Sequence, residues 1–245
     1  MLKRVISTLT IGEDFSKRIY LQLNRKNISP WHSIPLYTND SKFILPSVIE
    51  IPRDAKAKFE VSLKEEFNPL KQDTKKNRET GKVELRYYAK YPLFNYGMLP
   101  QTWENPFVKD HKHQLFGDGD PLDTLDLGNP VVESGALIQV KILGSLCLVD
   151  QGELDWKILC INTADPIHTH INDPTELETH FPGRLQAIID WLENIKVFEG
   201  KPKNRVIGPP VPPTETLKII ESAHSDYQDL INHKYPEANA WLANS

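Results

Sequence analysis

Phe116-Gly-Asp-Gly-Asp-Pro-Leu-Asp-Thr-Leu-Asp-Leu-Gly128 sets carboxylates at Asp118, Asp120 and Asp123 and a fourth at Asp126. Two like charges about 4 Å apart near a protein surface repel by roughly 4 kcal/mol, so acids this close stay in water or share a cation. Phe116, Leu122, Leu125 and Leu127 are threaded between them, which argues for burial. Pro121 biases Asp120 toward an extended backbone. Gly117 and Gly119 permit a close, bent approach. The stretch reads as a short ladder of oxygen ligands suited to a hard cation such as Mg2+. An EF-hand loop starting at Asp118 would need Gly sixth and Glu twelfth, where this chain has Asp123 and Asn129. An aspartyl-nucleophile phosphatase motif would need Thr where Leu122 stands, after an apolar strand that Lys109–Gln114 does not supply. A plain acidic turn is the remaining alternative.

The surrounding chain carries the partners that such a ladder needs. Val48-Ile-Glu-Ile-Pro52 is an apolar strand with one acid, Glu50. In 57–64, Phe59, Val61 and Leu63 share one face, and Lys58, Glu60, Ser62 and Lys64 the other. Val83–Tyr87 alternates likewise and puts Glu84 and Arg86 on its polar side. Residues 69–82, polar and basic, read as a long hairpin connection. Residues 135–149 form a long bent strand, Asp150–Asp155 a turn with a second acid pair, and Trp156–Ile161 the returning strand, which carries Lys157. Strands with turn signals between them predict a barrel or sandwich. The last third turns helical, over 174–180 and 183–195, with Lys196 just beyond. A proline-rich linker at 209–213 precedes a long helix capped by Thr214, with Leu217, Ile220, His224, Tyr227 and Ile231 along one face.

A formal charge of −4 disfavours general nucleic-acid binding, and no apolar run reaches the length of a membrane span. Cys147 and Cys160 lie in apolar strands and read as buried free thiols. Residues 1–12 hold two bases, three hydroxyls and no acid. That composition fits a short mitochondrial presequence, and equally an ordinary basic first strand. No Ser-His-Asp or Cys-His arrangement and no glycine-rich phosphate loop is evident. Acids neutralised by divalent ions, with bases interspersed, predict a pocket for phosphate esters or anhydrides in which metal lowers the pKa of an attacking water.

Gly117-Asp-Gly-Asp-Pro-Leu-Asp123 resembles the signature of the soluble, Mg2+-dependent family I inorganic pyrophosphatases of the fungal and animal type, the mitochondrial form included. The likeness extends through Ser29-Pro-Trp-His-Ser-Ile-Pro-Leu-Tyr37, Val48-Ile-Glu-Ile-Pro-Arg53, Gln72-Asp-Thr-Lys-Lys76, Asn95-Tyr-Gly97, Pro100-Gln-Thr-Trp-Glu104, Asp155-Trp-Lys157 and Phe181-Pro-Gly183, and covers roughly residues 11 to 235. It implies a mainly β fold with flanking α: a five-stranded OB-like β-barrel with C-terminal helices. The chain would be one domain over 1–245, with the barrel core at about 45–165, an N-terminal extension over 1–44 and a helical part over 174–245. The implied reaction is hydrolysis of pyrophosphate to two phosphates without a covalent intermediate. Three to four Mg2+ ions per site are implied, with Mn2+, Zn2+ or Co2+ as substitutes.

By position, the resemblance makes Asp118, Asp123 and Asp155 ligands of the tight metals and Asp120 the general base. Asp150 and Glu60 would serve substrate-borne metals, with Glu50 and Glu104 around them. Lys58, Arg86, Lys157 and Lys196 would hold phosphate oxygens, and Tyr96 and Tyr91 would stand near the reacting centre. Three positions depart from the pattern. Spacing after Asp-Thr-Lys-Lys is altered, leaving Arg86 with Arg78 as a rival; Tyr91 is one residue out of register; and Ile195 stands where a tyrosine adjoins the late lysine, which predicts weaker substrate binding or altered metal dependence rather than inactivity. A homodimer is implied, although Asp54 replaces a tryptophan common at that interface. The compartment is the mitochondrial matrix or, alternatively, the cytoplasm. Competing readings are an OB-fold binding module that has lost the chemistry and a hydrolase of short polyphosphates.

Overall fold

Alternating apolar and polar residues in the first two thirds of the chain form strands, as the period-two pattern requires. The structure is a computed structural model describing residues 6–38, 41–77 and 79–243. Strands β1 (Ile6–Ile11), β2 (Arg18–Leu23) and β3 (Lys26–Ile28) precede β4 (Ile44–Ile51). The short β5 (Phe59–Val61), β6 (Leu70–Gln72), β7 (Thr74–Lys76) and β8 (Val83–Leu85) follow, then β9 (Asn95–Met98) and β10 (Asp123–Asp126). The hairpin of β11 (Leu137–Asp150) and β12 (Glu153–Asn162) leads to α1 (Pro174–His180), α2 (Arg184–Asn194), β13 (Arg205–Val211) and α3 (Pro213–Ile231).

Pairings run β12–β10–β9–β4–β11 and return from β11 to β12, closing a five-stranded, OB-like barrel. Closure leaves no bare edge among those five. Strands β10 and β12 run parallel; the other neighbours in the ring are antiparallel. The long β11 bends at a register shift between Ile142 and Gly144, which lets it pair with β4, β12 and β13 in turn. A Cβ on Gly144 would lie 2.4 Å from the Val211 carbonyl oxygen and 2.6 Å from Pro174 Cγ, so only glycine admits this three-way contact. Gln151 (φ 53°) and Gly152 (φ 97°) make the two-residue turn that brings Asp150 opposite Glu153. A second sheet, β1-β2-β6-β5 with β3 on β2, lies beside the barrel.

Helix α2 packs Ile188, Trp191 and Leu192 against Leu125, Leu127, Leu143 and Leu148. Helix α3 sets Ile220 and Ala223 on Leu36, Leu45, Val140 and Ile142, and its later Tyr227 and Leu230 on Leu21, Trp31 and Val48. His224 is a satisfied packing residue, its Nδ1 2.6 Å from the Gln101 carbonyl oxygen. Both cysteines are free and buried.

Three sequence expectations are corrected. The connection over 69–82 contains β6 and β7, because Leu70 pairs with Val61 and Thr74 with Leu85. The proline stretch is not a free linker: Pro209 and Pro210 lie in β13, an edge strand on β11, where missing N–H groups are tolerated. Thr214 is not a cap; α3 begins at Pro213, whose fixed φ suits a first helical position, with Pro212 before it. Residues 6–11, open to two readings, form the exposed strand β1. Arg78 and residues 1–5 lie outside the described residues.

Candidate metal and phosphate site

One mouth of the barrel opens into a cleft of about 240 Å3. Glu50 enters it from β4, Lys58 and Glu60 from the start of β5, Arg86 from just after β8, and Tyr96 from β9. Asp118 and Asp120 come from the acidic loop, Asp123 from the first position of β10, Asp150 from the end of β11, Asp155 and Lys157 from β12, and Lys196 from just after α2. Residues more than a hundred positions apart converge because the barrel's strand ends converge. Parallel pairing of β10 with β12 sets Asp123 beside Lys157.

The acidic loop is clamped from behind. Asp120 accepts at its carbonyl from Glu104 N at 2.9 Å, Gly119 N donates to the Glu104 carbonyl at 2.9 Å, and Trp103 Nε1 donates to the Gly119 carbonyl at 2.8 Å. A Cβ on Gly117 would sit 2.4 Å from the Glu104 carbonyl carbon, so the first glycine of the ladder is needed for this approach. Asp118 Oδ1 accepts from Asp120 N at 2.9 Å, which fixes the spacing of the two acids.

Lys157 pairs with both Asp123 and Asp155, and Tyr96 donates its hydroxyl to Asp123 Oδ2. Lys196 pairs with Asp150. Lys58 reaches Glu60 at 2.5 Å and Asp73 at 3.2 Å, and Arg86 reaches Asp73 at 2.8 Å. Glu50 Oε1 accepts from Val61 N at 2.7 Å. Glu104, 6% exposed, accepts from Trp156 N at 2.9 Å on Oε1, while its Oε2 is buried without a partner, as is Asp150 Oδ1.

Those orphan oxygens show what the protein's own charges leave undone. Burial, then the neighbouring charge of Asp120, holds Asp118 up to about 8. Burial holds Asp155 up to about 8 despite Lys157. Burial, then Glu60 and Asp123, raises Asp120 to about 7. Glu50 and Glu104 are pushed well above the usual carboxylate range by burial first, and then by Asp123 and Asp118 respectively. Ligand atoms of Glu104, Asp118 and Asp155 lie within 4.8 Å of one another. A buried trio of carboxylates with an unsatisfied oxygen suits a hard divalent cation. Asp123 faces the same space with one oxygen taken by Lys157 and Tyr96.

Every sequence-predicted residue except Glu104 and Tyr91 lines the cleft; Glu104 stands directly behind it, against Asp118 and Asp155. Tyr91 is corrected: its ring is 55% exposed, faces Lys56 and lies outside the cleft. Tyr88 contributes a buried phenol instead, raised to about 12 by burial. The signal for it was present, since 88 continues the period-two face of Arg86. Ile195 lines the cleft as a buried apolar residue. Of the two acids that hold Arg86, Asp73 lies in the Gln72–Lys76 stretch that carries the resemblance, and Glu199 has no local signal.

The family model for inorganic pyrophosphatase matches residues 47–228. The chain is 41% identical over 224 residues to the chloroplastic soluble inorganic pyrophosphatase 6 of Arabidopsis thaliana, covering 90% of this chain and 72% of that protein. It spans between 63% and 72% of the length of the first curated relatives it matches. The inorganic pyrophosphatase of Schistosoma japonicum superposes with a TM-score of 0.87 at 36% identity, over 91% of this chain and 80% of that one. A truncated Trypanosoma cruzi vacuolar soluble pyrophosphatase in complex with PPi superposes with a TM-score of 0.86 at 32% identity, over 93% and 92%. The barrel, the acids at its mouth and these matches agree: the chain belongs to the inorganic pyrophosphatase family.

Proposed function

We propose that this chain hydrolyses inorganic pyrophosphate to two phosphates by direct attack of water, with Asp120 as the base. The carrying observation is one cleft in which four cations, Lys58, Arg86, Lys157 and Lys196, face the carboxylates of both acid clusters. The cations hold phosphate oxygens and stabilise charge on the departing phosphate. Asp120, flanked by Glu60 and Asp123, has a raised proton affinity that suits it to take a proton from water. No serine, threonine, cysteine or histidine is among the described residues lining the cleft, which supports attack by water rather than by such a side chain.

Mg2+ is the proposed cofactor, held by Asp118, Asp123 and Asp155 with Glu104 close by, while Asp150 and Glu60 serve ions arriving with substrate. Bound there, it neutralises phosphate oxygens and lowers the pKa of water. Tyr96 keeps Asp123 oriented, and Glu50 braces the strand bearing Glu60 through Val61 N.

We further propose that residues 1–245 act as one catalytic domain and as a homodimer. The Ala57–Tyr87 bridge and the Lys56–Tyr91 contact set the exposed rings of Tyr87 and Tyr91 along residues 56–57, an aromatic surface a second copy can cover. Sedimentation at micromolar concentration tests this; a monomer refutes it. The mitochondrial matrix is the proposed compartment on the basic, acid-free composition of residues 1–12, and the pairing of residues 6–11 with β2 in the folded domain stands on the side of the cytoplasm. A mature protein starting at Met1 would favour the cytoplasm, and mass spectrometry of the N-terminus decides. Among the described residues no helix is long and apolar enough to cross a membrane.

Phosphate release from pyrophosphate with and without Mg2+ tests the reaction. The expected result is Mg2+-dependent release, lowered at least about a hundredfold in Asp120→Asn, the range for losing a positioned base. Full activity of that variant would remove Asp120 from the role. No release from pyrophosphate at any Mg2+ concentration would remove the function.

A further inference from the structure

Arg86 is held by two acids that are not themselves part of the cleft wall. Its Nη1 donates to Asp73 Oδ2 at 2.8 Å, and its Nε and Nη2 donate to Glu199 Oε1 and Oε2 at 2.9 and 3.0 Å. The Arg86 and Glu199 side chains are each 8% exposed. Glu199 ends the single turn Val197–Glu199, which begins directly after Lys196 and is closed by Gly200 at φ 70°. Asp73 continues the chain of charge to Lys58. Two phosphate-facing cations, Lys58 and Arg86, are therefore joined through Asp73, and Glu199 links Arg86 to the turn that follows Lys196, where its own N–H donates to the Lys196 carbonyl at 3.0 Å.

A guanidinium carries five N–H donors in a rigid plane. Three of them are spent on Asp73 and Glu199, which locks the plane and leaves two for a ligand. Arg86 lines the cleft and also a second cavity that Glu199 shares with Lys201. Burial, then Arg86 and Lys196, pushes the Lys201 ammonium down, so cations crowd this corner and Glu199 offsets them. A side chain already ordered loses less freedom when it binds.

We infer that Glu199 is a positioning residue for pyrophosphate: it locks the Arg86 fork and ties the Lys196-bearing turn to it, so both cations close on substrate as a unit. This rests on the pyrophosphatase reading above. Full-length Glu199→Gln and Glu199→Asp variants test it through steady-state kinetics, calorimetric binding of inorganic phosphate, and melting temperature. Glu199→Gln is expected to raise KM for pyrophosphate at least tenfold with kcat within threefold, and to weaken phosphate binding by a similar factor. Glu199→Asp is expected to recover part of both, at a melting temperature near wild type. An unchanged KM and phosphate affinity in Glu199→Gln overturns the inference, as does a loss in both variants that merely follows a falling melting temperature. Should Glu199→Gln fold poorly, Arg86→Lys with and without Glu199→Asp replaces it: the Asp change should then add nothing, and an additive loss overturns the inference. Wild type that binds phosphate normally but leaves pyrophosphate intact would strike the functional reading, whereas the phosphate arm still reads the Arg86–Glu199 coupling.

Discussion

Ile195 lies 7% exposed in the cleft wall between Trp191 and Lys196, packed with Tyr88 and Phe94. A phenol in its place would carry a hydroxyl toward the space beside Lys196, where the proposed reaction puts phosphate oxygens. One added hydrogen bond to a charged oxygen is worth about 1.5 kcal/mol, or roughly tenfold in kcat/KM. Ile195→Tyr is expected to raise kcat/KM by about that factor, chiefly through KM; an unchanged value at an unaltered melting temperature would show that Tyr88 already fills the need. At this scale the sequence was informative wherever a site residue sat on an alternating strand. Glu60, Arg86, Asp155 and Lys157 are legible because neighbours two apart fix which face they share. Tyr91 is misplaced because it lies in the irregular stretch between β8 and β9, where no alternation fixes a face, and Tyr88 three residues earlier fills the cleft instead. Glu199 was illegible because a single turn has no period, and its partner Arg86 is 113 residues away.

Elements were legible where length let a pattern repeat. The run over 135–149 reads as one long strand and is one, and α1 occupies 174–180 as expected. The three-residue strands β6 and β7 are too short to alternate visibly, and pairing with β5 and β8 defines them instead. Pro209 and Pro210 look like a linker because sequence cannot reveal that β13 has only one neighbour. The bend of β11 is the element on which the barrel mouth depends, since it carries Leu148 and Asp150 into the cleft. Gly144→Ala would drive a methyl to 2.4 Å from the Val211 carbonyl oxygen, forcing β13 or α1 outward. Overpacking of this kind costs about 1–3 kcal/mol. Denaturant unfolding should show that loss, together with reduced activity from a displaced Asp150; a variant as stable as wild type would mean the β11–β13 contact yields freely.

Across the whole molecule, the loop after β3, helix α3 and the C-terminal segment meet at His32. Its Nδ1 lies 2.9 Å from Tyr227 Oη and its Nε2 3.0 Å from the Trp241 carbonyl oxygen. A carbonyl can only accept, so Nε2 carries the hydrogen and Nδ1 takes one from the tyrosine, which satisfies the neutral ring. Trp241 in turn donates its N–H to the Leu63 carbonyl at 2.7 Å, which joins this corner to the segment bearing Lys58 and Glu60. Burial lowers the imidazole from 6.5 to about 4, partly opposed by the Trp241 carbonyl. Between those values the unfolded chain binds a proton that the folded chain does not. Stability from this site is therefore complete above about pH 6.5 and is lost as pH falls toward 4. Buried carboxylates with raised proton affinity act in the opposite direction, but they are common to wild type and a His32→Gln variant and cancel in the comparison. Wild type should lose on the order of 2 kcal/mol more than His32→Gln between pH 7 and 4.5. Parallel unfolding curves for the two proteins over that range would mean the ring is protonated in the folded state, and that α3 and the C-terminal segment are joined to the rest without it.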